Sequence, residues 1–162
     1  MDLIAQGLSS AVLNDCRLRV SAGEVVTLRG ASGSGKTLLL RAIADLDPHE
    51  GEVSLNGVAR SGMSGPEWRR RVRFVAAEAA WWADRVGEHF RAPDKAGAMA
   101  TQVGFPHGCM DWHVARLSTG EKQRLGFLRA LEDRPNVLLL DEPTAALDRT
   151  SERAVETLIK RL

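Results

Sequence analysis

Eight consecutive residues, Gly30, Ala31, Ser32, Gly33, Ser34, Gly35, Lys36 and Thr37, constrain this chain more than any other stretch. They fit the pattern G-x-x-x-x-G-K-[ST] at every specified position, between an apolar run at 24–29 and a second at 38–44. That order predicts a strand, a loop and a helix. Glycines let the backbone curl closely around an anion, and the start of the following helix adds unpaired N–H groups and the positive end of its dipole. Such a cradle suits the phosphate tail of a nucleotide, with Lys36 reaching the β- and γ-phosphates and Thr37 offering its hydroxyl to Mg²⁺. The competing reading is a Gly/Ser-rich surface turn that happens to contain a lysine. The strand and helix signals on both sides weigh against it.

The 162 residues suffice for one domain with a sizeable core. A formal net charge of +1 argues against a broad nucleic-acid surface, so no nucleic-acid partner is expected. The acid at position 2 and the lack of a long apolar run speak against a signal peptide or a membrane span, so the chain itself is expected to be soluble, and its two cysteines are compatible with a reducing cytoplasm. Cys16 and Cys109 make no disulfide framework. Cys109, His107 and His113 lack a second ligand pair at zinc spacing and are read as ordinary loop and helix residues.

Alternation predicts strands at 3–8, 12–20, 24–29, 51–57 and 72–75, with the helix after Thr37 apolar nearly all round and therefore buried. Residues 61–66 read as a loop, and Arg69, Arg70 and Arg71 as a solvated helix end. Between about 78 and 116 the periodicity weakens, which predicts a small helical insert; its adjacent Trp81 and Trp82 form a candidate partner surface. Ser118 and Glu121 have capping-box spacing at the head of a helix that Pro135 ends. The short apolar strand at 137–141 ends in an acid, and a last helix carries Ala154, Val155, Leu158, Ile159 and Leu162 on one stripe. Strands alternating with helices around a phosphate loop predict an α/β fold with a mostly parallel sheet and antiparallel strands at the amino end.

Asp141, at the carboxyl end of its strand, is placed to hold Mg²⁺, and Glu142 to orient or deprotonate the attacking water. Two halves of one metal-nucleotide site thus occur in the expected order. Here the chain resembles the ATP-binding cassette (ABC) family of P-loop NTPases. That family's signature LSGGQ looks like residues 117–121, with Ser118, Gly120 and Glu121 at a helix start and Lys122, Gln123 and Arg124 following. Residues 145–148, ending in Asp148, look like the family's D-loop; a plain helix cap at Asp148 is compatible with that role. The resemblance implies a single ABC ATPase domain over 1–162. It also implies ATP and Mg²⁺ as cofactors, a homodimer or a second ABC subunit closing head to tail, and a transmembrane permease that holds the chain at the cytoplasmic face of the membrane. The permease is expected to dock beside Trp81, Trp82 and Val86.

Departures from the family pattern qualify these expectations. Its Q-loop glutamine falls at Ala77, followed by Glu78, and Thr119 replaces a signature glycine. No aromatic precedes Val12 where the family stacks one on adenine, so base affinity is expected to be reduced, or supplied by an apolar residue such as Leu8. A further strand and a switch histidine would lie beyond Leu162; His89, His107 and His113 all precede Asp148. A missing strand would leave an open sheet edge. Three functions stay open: a transporter ATPase, a non-transport cassette acting on ribosomes or DNA, and a degenerate cassette that binds ATP with little hydrolysis.

Overall fold

Alternating apolar residues at the amino end build an antiparallel sheet in the computed structural model, which describes residues 2–162. Strand β1 (Asp2–Ser9) pairs on one side with β2 (Cys16–Ser21) and on the other with β3 (Glu50–Leu55), and β4 (Val58–Ala59) completes the order β2-β1-β3-β4. Leu3 lies opposite Val20 and Leu55, and Ala5 opposite Leu18 and Val53, so one face is continuously apolar. Leu3, Ala5, Leu8, Val53 and Leu55 are buried on that face. Residues 12–15, expected to be strand, form the connecting loop instead.

Helix α1 (Lys36–Ile43) contributes Leu40, Ala42 and Ile43 to the same core. Leu38 is exposed, so α1 is not buried all round: a single stripe is enough to hold it. Helix α2 (Gly65–Arg71) begins inside the stretch read as a loop. Its signals were a serine at the N-cap, a proline in the first turn and a glutamate three residues on: Ser64 Oγ accepts the N–H of Glu67 at 3.4 Å. Trp68 is fully buried and donates from Nε1 to the Ile43 carbonyl at 2.9 Å. Arg69 and Arg60 both pair with Asp45, and Arg71 pairs with Glu67, so most of the basic run is neutralised locally.

Strands β5 (Val72–Val75) and β6 (Val137–Leu140) form a separate two-stranded parallel sheet, from which Val72 and Leu139 join the core. The strand expected at 24–29 is absent. Among the described residues it joins no ladder, because no neighbouring strand supplies partners for its N–H and C=O groups; Val25 is 68% exposed.

By contact density the chain divides into two units, one running to Phe74 with Asn136–Leu139, the other comprising Val75–Pro135 and Leu140–Leu162. The second unit is helical. It contains α3 (Pro93–Ala100), α4 (Thr119–Leu131), α5 (Arg149–Ile159) and several 3-10 turns. Buried Leu125, Phe127, Leu128 and Leu131 make α4 its centre. The Glu132 carboxylate accepts the N–H groups of Arg91 and Ala92 just before α3, and Arg124 donates to the Val103 carbonyl and to Ser151 Oγ on α5. On α5 only Val155 and Leu158 of the expected apolar stripe are buried; Leu162 lies past the helix and is exposed.

Candidate functional site

In the first unit, the loop Gly30 to Thr37 closes on itself. The Ser34 N–H donates to the Ala31 carbonyl at 3.2 Å, and Gly35 (φ +89°) is the N-cap of α1. A Cβ at Gly35 would adopt a backbone conformation that L-residues avoid and would press on Leu13 Cδ2 at 3.3 Å. The Lys36 ammonium folds into the curl and donates to the carbonyls of Gly30 and Ala31, each at 2.9 Å. No acidic residue occupies the first turn of α1, so the positive end of that helix is not neutralised from within. Ala31, Ser32, Gly33, Ser34 and Thr37 are all exposed on this rim.

Beside the loop lies the turn Ser10 to Leu13, closed by the Ser10 N–H on the Leu13 carbonyl at 3.0 Å and by Ser10 Oγ accepting from Val12 and Leu13. The turn buries Leu13 and leaves Val12 56% exposed next to Gly35. Leu8, expected to face a base, is instead wholly buried in the core, because its register on β1 points it inward. Val12 is the apolar side chain exposed there.

In the second unit, Asp141 follows β6 and its N–H donates to the Val75 carbonyl at 3.0 Å. Glu142 takes φ +46°, an unfavourable conformation for a residue with a Cβ, and more so immediately before Pro143. Its carbonyl accepts the Ala145 N–H at 3.2 Å and Gln123 Nε2–H at 2.8 Å. Gln123 Oε1 in turn accepts the Ala146 N–H at 3.3 Å, and Nε2 lies 3.4 Å from the Ala77 carbonyl. Gln123, named from the sequence only as a residue following the signature, thus ties the 142–146 turn to α4. Its signal was a polar amide on the buried face of a helix, one turn before Phe127.

The start of α4 carries the expected capping box: Ser118 Oγ accepts the Glu121 N–H at 3.2 Å, and Glu121 Oε2 accepts the Ser118 N–H at 2.7 Å. Glu121 thus holds the helix start together. Gly120 sits so close to the 145–148 turn that a Cβ there would come within 2.9 Å of the Ala146 carbonyl oxygen. Asp148 caps α5. Its carboxylate accepts the Ser151 hydroxyl at 2.7 Å and the N–H groups of Thr150 and Ser151, bonds that hold its pKa below the usual carboxylate range. The second unit therefore brings Ser118, Gly120, Glu121, Gln123, Glu142 and Asp148 into one connected set.

The aromatic pair is ordered around a buried histidine. His89 Nε2 accepts the N–H groups of Trp82 and Ala83, and its ring packs on Trp81 and Trp82 at 4.7 and 4.6 Å. Arg129 lies over both indoles, while Trp82 remains 69% exposed. Val86, expected to share that surface, is fully buried, since the backbone pairing of Asp84 and Val86 with Val114 and Trp112 turns it inward.

A family model described as ABC transporter matches residues 13–145. The aliphatic sulfonates import ATP-binding protein SsuB of Pectobacterium atrosepticum is 38% identical over 93% of this chain and 58% of its own length. The methionine import ATP-binding protein MetN 2 of Salmonella choleraesuis is 32% identical over 97% of this chain and 51% of its own. The chain thus spans about half the length of the curated relatives it matches. Among solved structures, a bacterial Atm1-family ABC exporter with ATP bound matches 99% of this chain and 32% of that one, with TM-score 0.84 and 23% identity, a likeness of fold.

Proposed function

Because this chain belongs to the ABC transporter family, we propose that it is the ATP-hydrolysing subunit of a membrane transporter, closing with a second copy over bound ATP to drive a separate permease. The observation that carries this reading is the Gly30–Thr37 curl with the Lys36 ammonium inside it and an unopposed helix N-terminus behind it. Lys36 exchanges the carbonyls of Gly30 and Ala31 for the phosphate tail. Thr37 offers a hydroxyl and Asp141 a carboxylate, each a hard oxygen donor of the kind Mg²⁺ takes, and the ion would supply positive charge to the nucleotide's phosphates. Glu142 orients the water and accepts its proton. Val12 supplies apolar contact for the base.

Ser118, Gly120 and Asp148 face the second copy, where the capped start of α4 meets the other subunit's γ-phosphate. Exposed Trp82, which like Trp81 packs on His89, docks the permease and holds the chain at the cytoplasmic face of the membrane. Among the described residues no helix is long and apolar enough to cross a bilayer. The names of the relatives, sulfonate and methionine importers, favour import. Glu142→Gln tests the reading. The parent chain is expected to hydrolyse ATP with a rate that rises faster than linearly with protein concentration, and the variant to lose turnover while accumulating an ATP-bound dimer. Equally negligible rates in the two would support the second reading, a cassette that binds ATP with little hydrolysis, which Ala77 in place of the family's glutamine favours.

A further inference from the structure

We propose that Gln123 is the positioning residue for Glu142, coupling the start of α4 to the carboxylate that handles water; the inference rests on the hydrolytic reading above. Glu142 holds a left-handed backbone conformation immediately before a proline, two features that each favour relaxation toward an extended conformation. Such a relaxation would rotate the peptide after Glu142 and swing its side chain away. Two bonds to the Glu142 carbonyl oppose this. The Ala145 N–H is local to the turn; Gln123 Nε2 comes from another element and makes the shorter contact, 2.8 Å against 3.2 Å.

The same amide fastens the far end of the turn, since Oε1 accepts the Ala146 N–H. A side chain that donates to residue 142 and accepts from residue 146 fixes the span between them as a unit. Gln123 is only 6% exposed, so neither bond is exchanged for water at low cost. It also lies one helical turn after Thr119 and Gly120, on the same rigid helix whose first residues carry the signature. A displacement of that helix start therefore reaches Glu142 through one side chain, without passing through the loop that joins them in sequence.

The test compares Gln123→Met, which keeps length and loses both bonds, with Gln123→Glu, which keeps shape. At neutral pH an ionised glutamate would face the Glu142 carbonyl with no donor, whereas in its protonated form it both donates to Glu142 and accepts from Ala146. Expected for Gln123→Met is a kcat at least 10-fold lower with ATP affinity within about 2-fold of the parent, because the phosphate loop is untouched. The activity of Gln123→Glu, taken as a ratio to the parent at each pH, should rise as pH is lowered from 8 to 6. A parent-like kcat in Gln123→Met, or a flat ratio in Gln123→Glu, overturns the assignment. Glu142→Gln measured alongside separates the two levels: loss of turnover there with no effect at Gln123 rejects the positioning role alone. Full turnover in Glu142→Gln rejects the role given to Glu142, and this one with it, whereas negligible turnover in the parent rejects the hydrolytic reading.

Discussion

His89 accepts the backbone N–H of Trp82 through Nε2 at 2.9 Å, and it does so while buried beneath the indole it positions. The second bond, from Ala83, goes to the same nitrogen at 3.1 Å, and Nδ1 stands 3.0 Å from the Arg85 carbonyl, where it donates. His89→Phe keeps the ring and removes the acceptor, leaving two N–H groups without their partner. The expected cost is about 1–3 kcal/mol, read as a lower denaturation midpoint together with a change in tryptophan emission. Trp82→Ala, at an exposed position, should leave that midpoint within about 0.5 kcal/mol and ATP affinity unchanged, while weakening co-purification with the permease. Lost ATP binding with intact association would reverse the assignment.

Asp148 gives a pH-dependent prediction whose sign follows from its bonds to Ser151 and Thr150. Its carboxylate has a folded pKa below the unfolded value of about 3.9, so the stabilisation is present above that value and lost as pH falls through the folded one. Asp148→Asn should therefore melt below the parent at pH 6 to 7. The gap should begin to shrink as pH is lowered below about 4, and go on shrinking until pH passes the lower folded pKa and the parent's own carboxyl is protonated. Melting curves across that range check it; a gap that widens in acid contradicts it.

Gly120→Ala places a methyl within 2.9 Å of the Ala146 carbonyl oxygen, a backbone atom that cannot rotate away. The start of α4 or the 145–148 turn must shift, at an expected cost of about 1–3 kcal/mol. ATP-dependent dimerisation, followed by light scattering, should fall further than monomer stability accounts for, because Ser118 and Asp148 lie on the displaced segments.

These cases also show what the amino-acid order makes legible. Local signals were read directly: the curl at 30–37 leading into α1, the Ser118–Glu121 capping box, β5 at 72–75 and the apolar β6 all depend on a few adjacent residues. Side-chain contacts across long separations were not. Gln123 reaches a carbonyl 19 residues away and Trp82 is set by His89, neither of which leaves a periodic trace. The helix after Ser64 was readable from its cap, yet the glycines around it looked like a loop. The stretch at 24–29 failed differently: its alternation suits a strand, but a strand exists only when a neighbour pairs with it, and propensity carries no information about that neighbour.

The phosphate loop is the foundation of the functional account, and Lys36 is its most exposed test. Titration calorimetry of the purified chain with ATP, with and without Mg²⁺, should show Mg²⁺-dependent binding, weakened at least 10-fold by Lys36→Ala with the fold unchanged by circular dichroism. Equal ATP affinity in the parent and in Lys36→Ala, or no Mg²⁺-dependent binding in either, would contradict it.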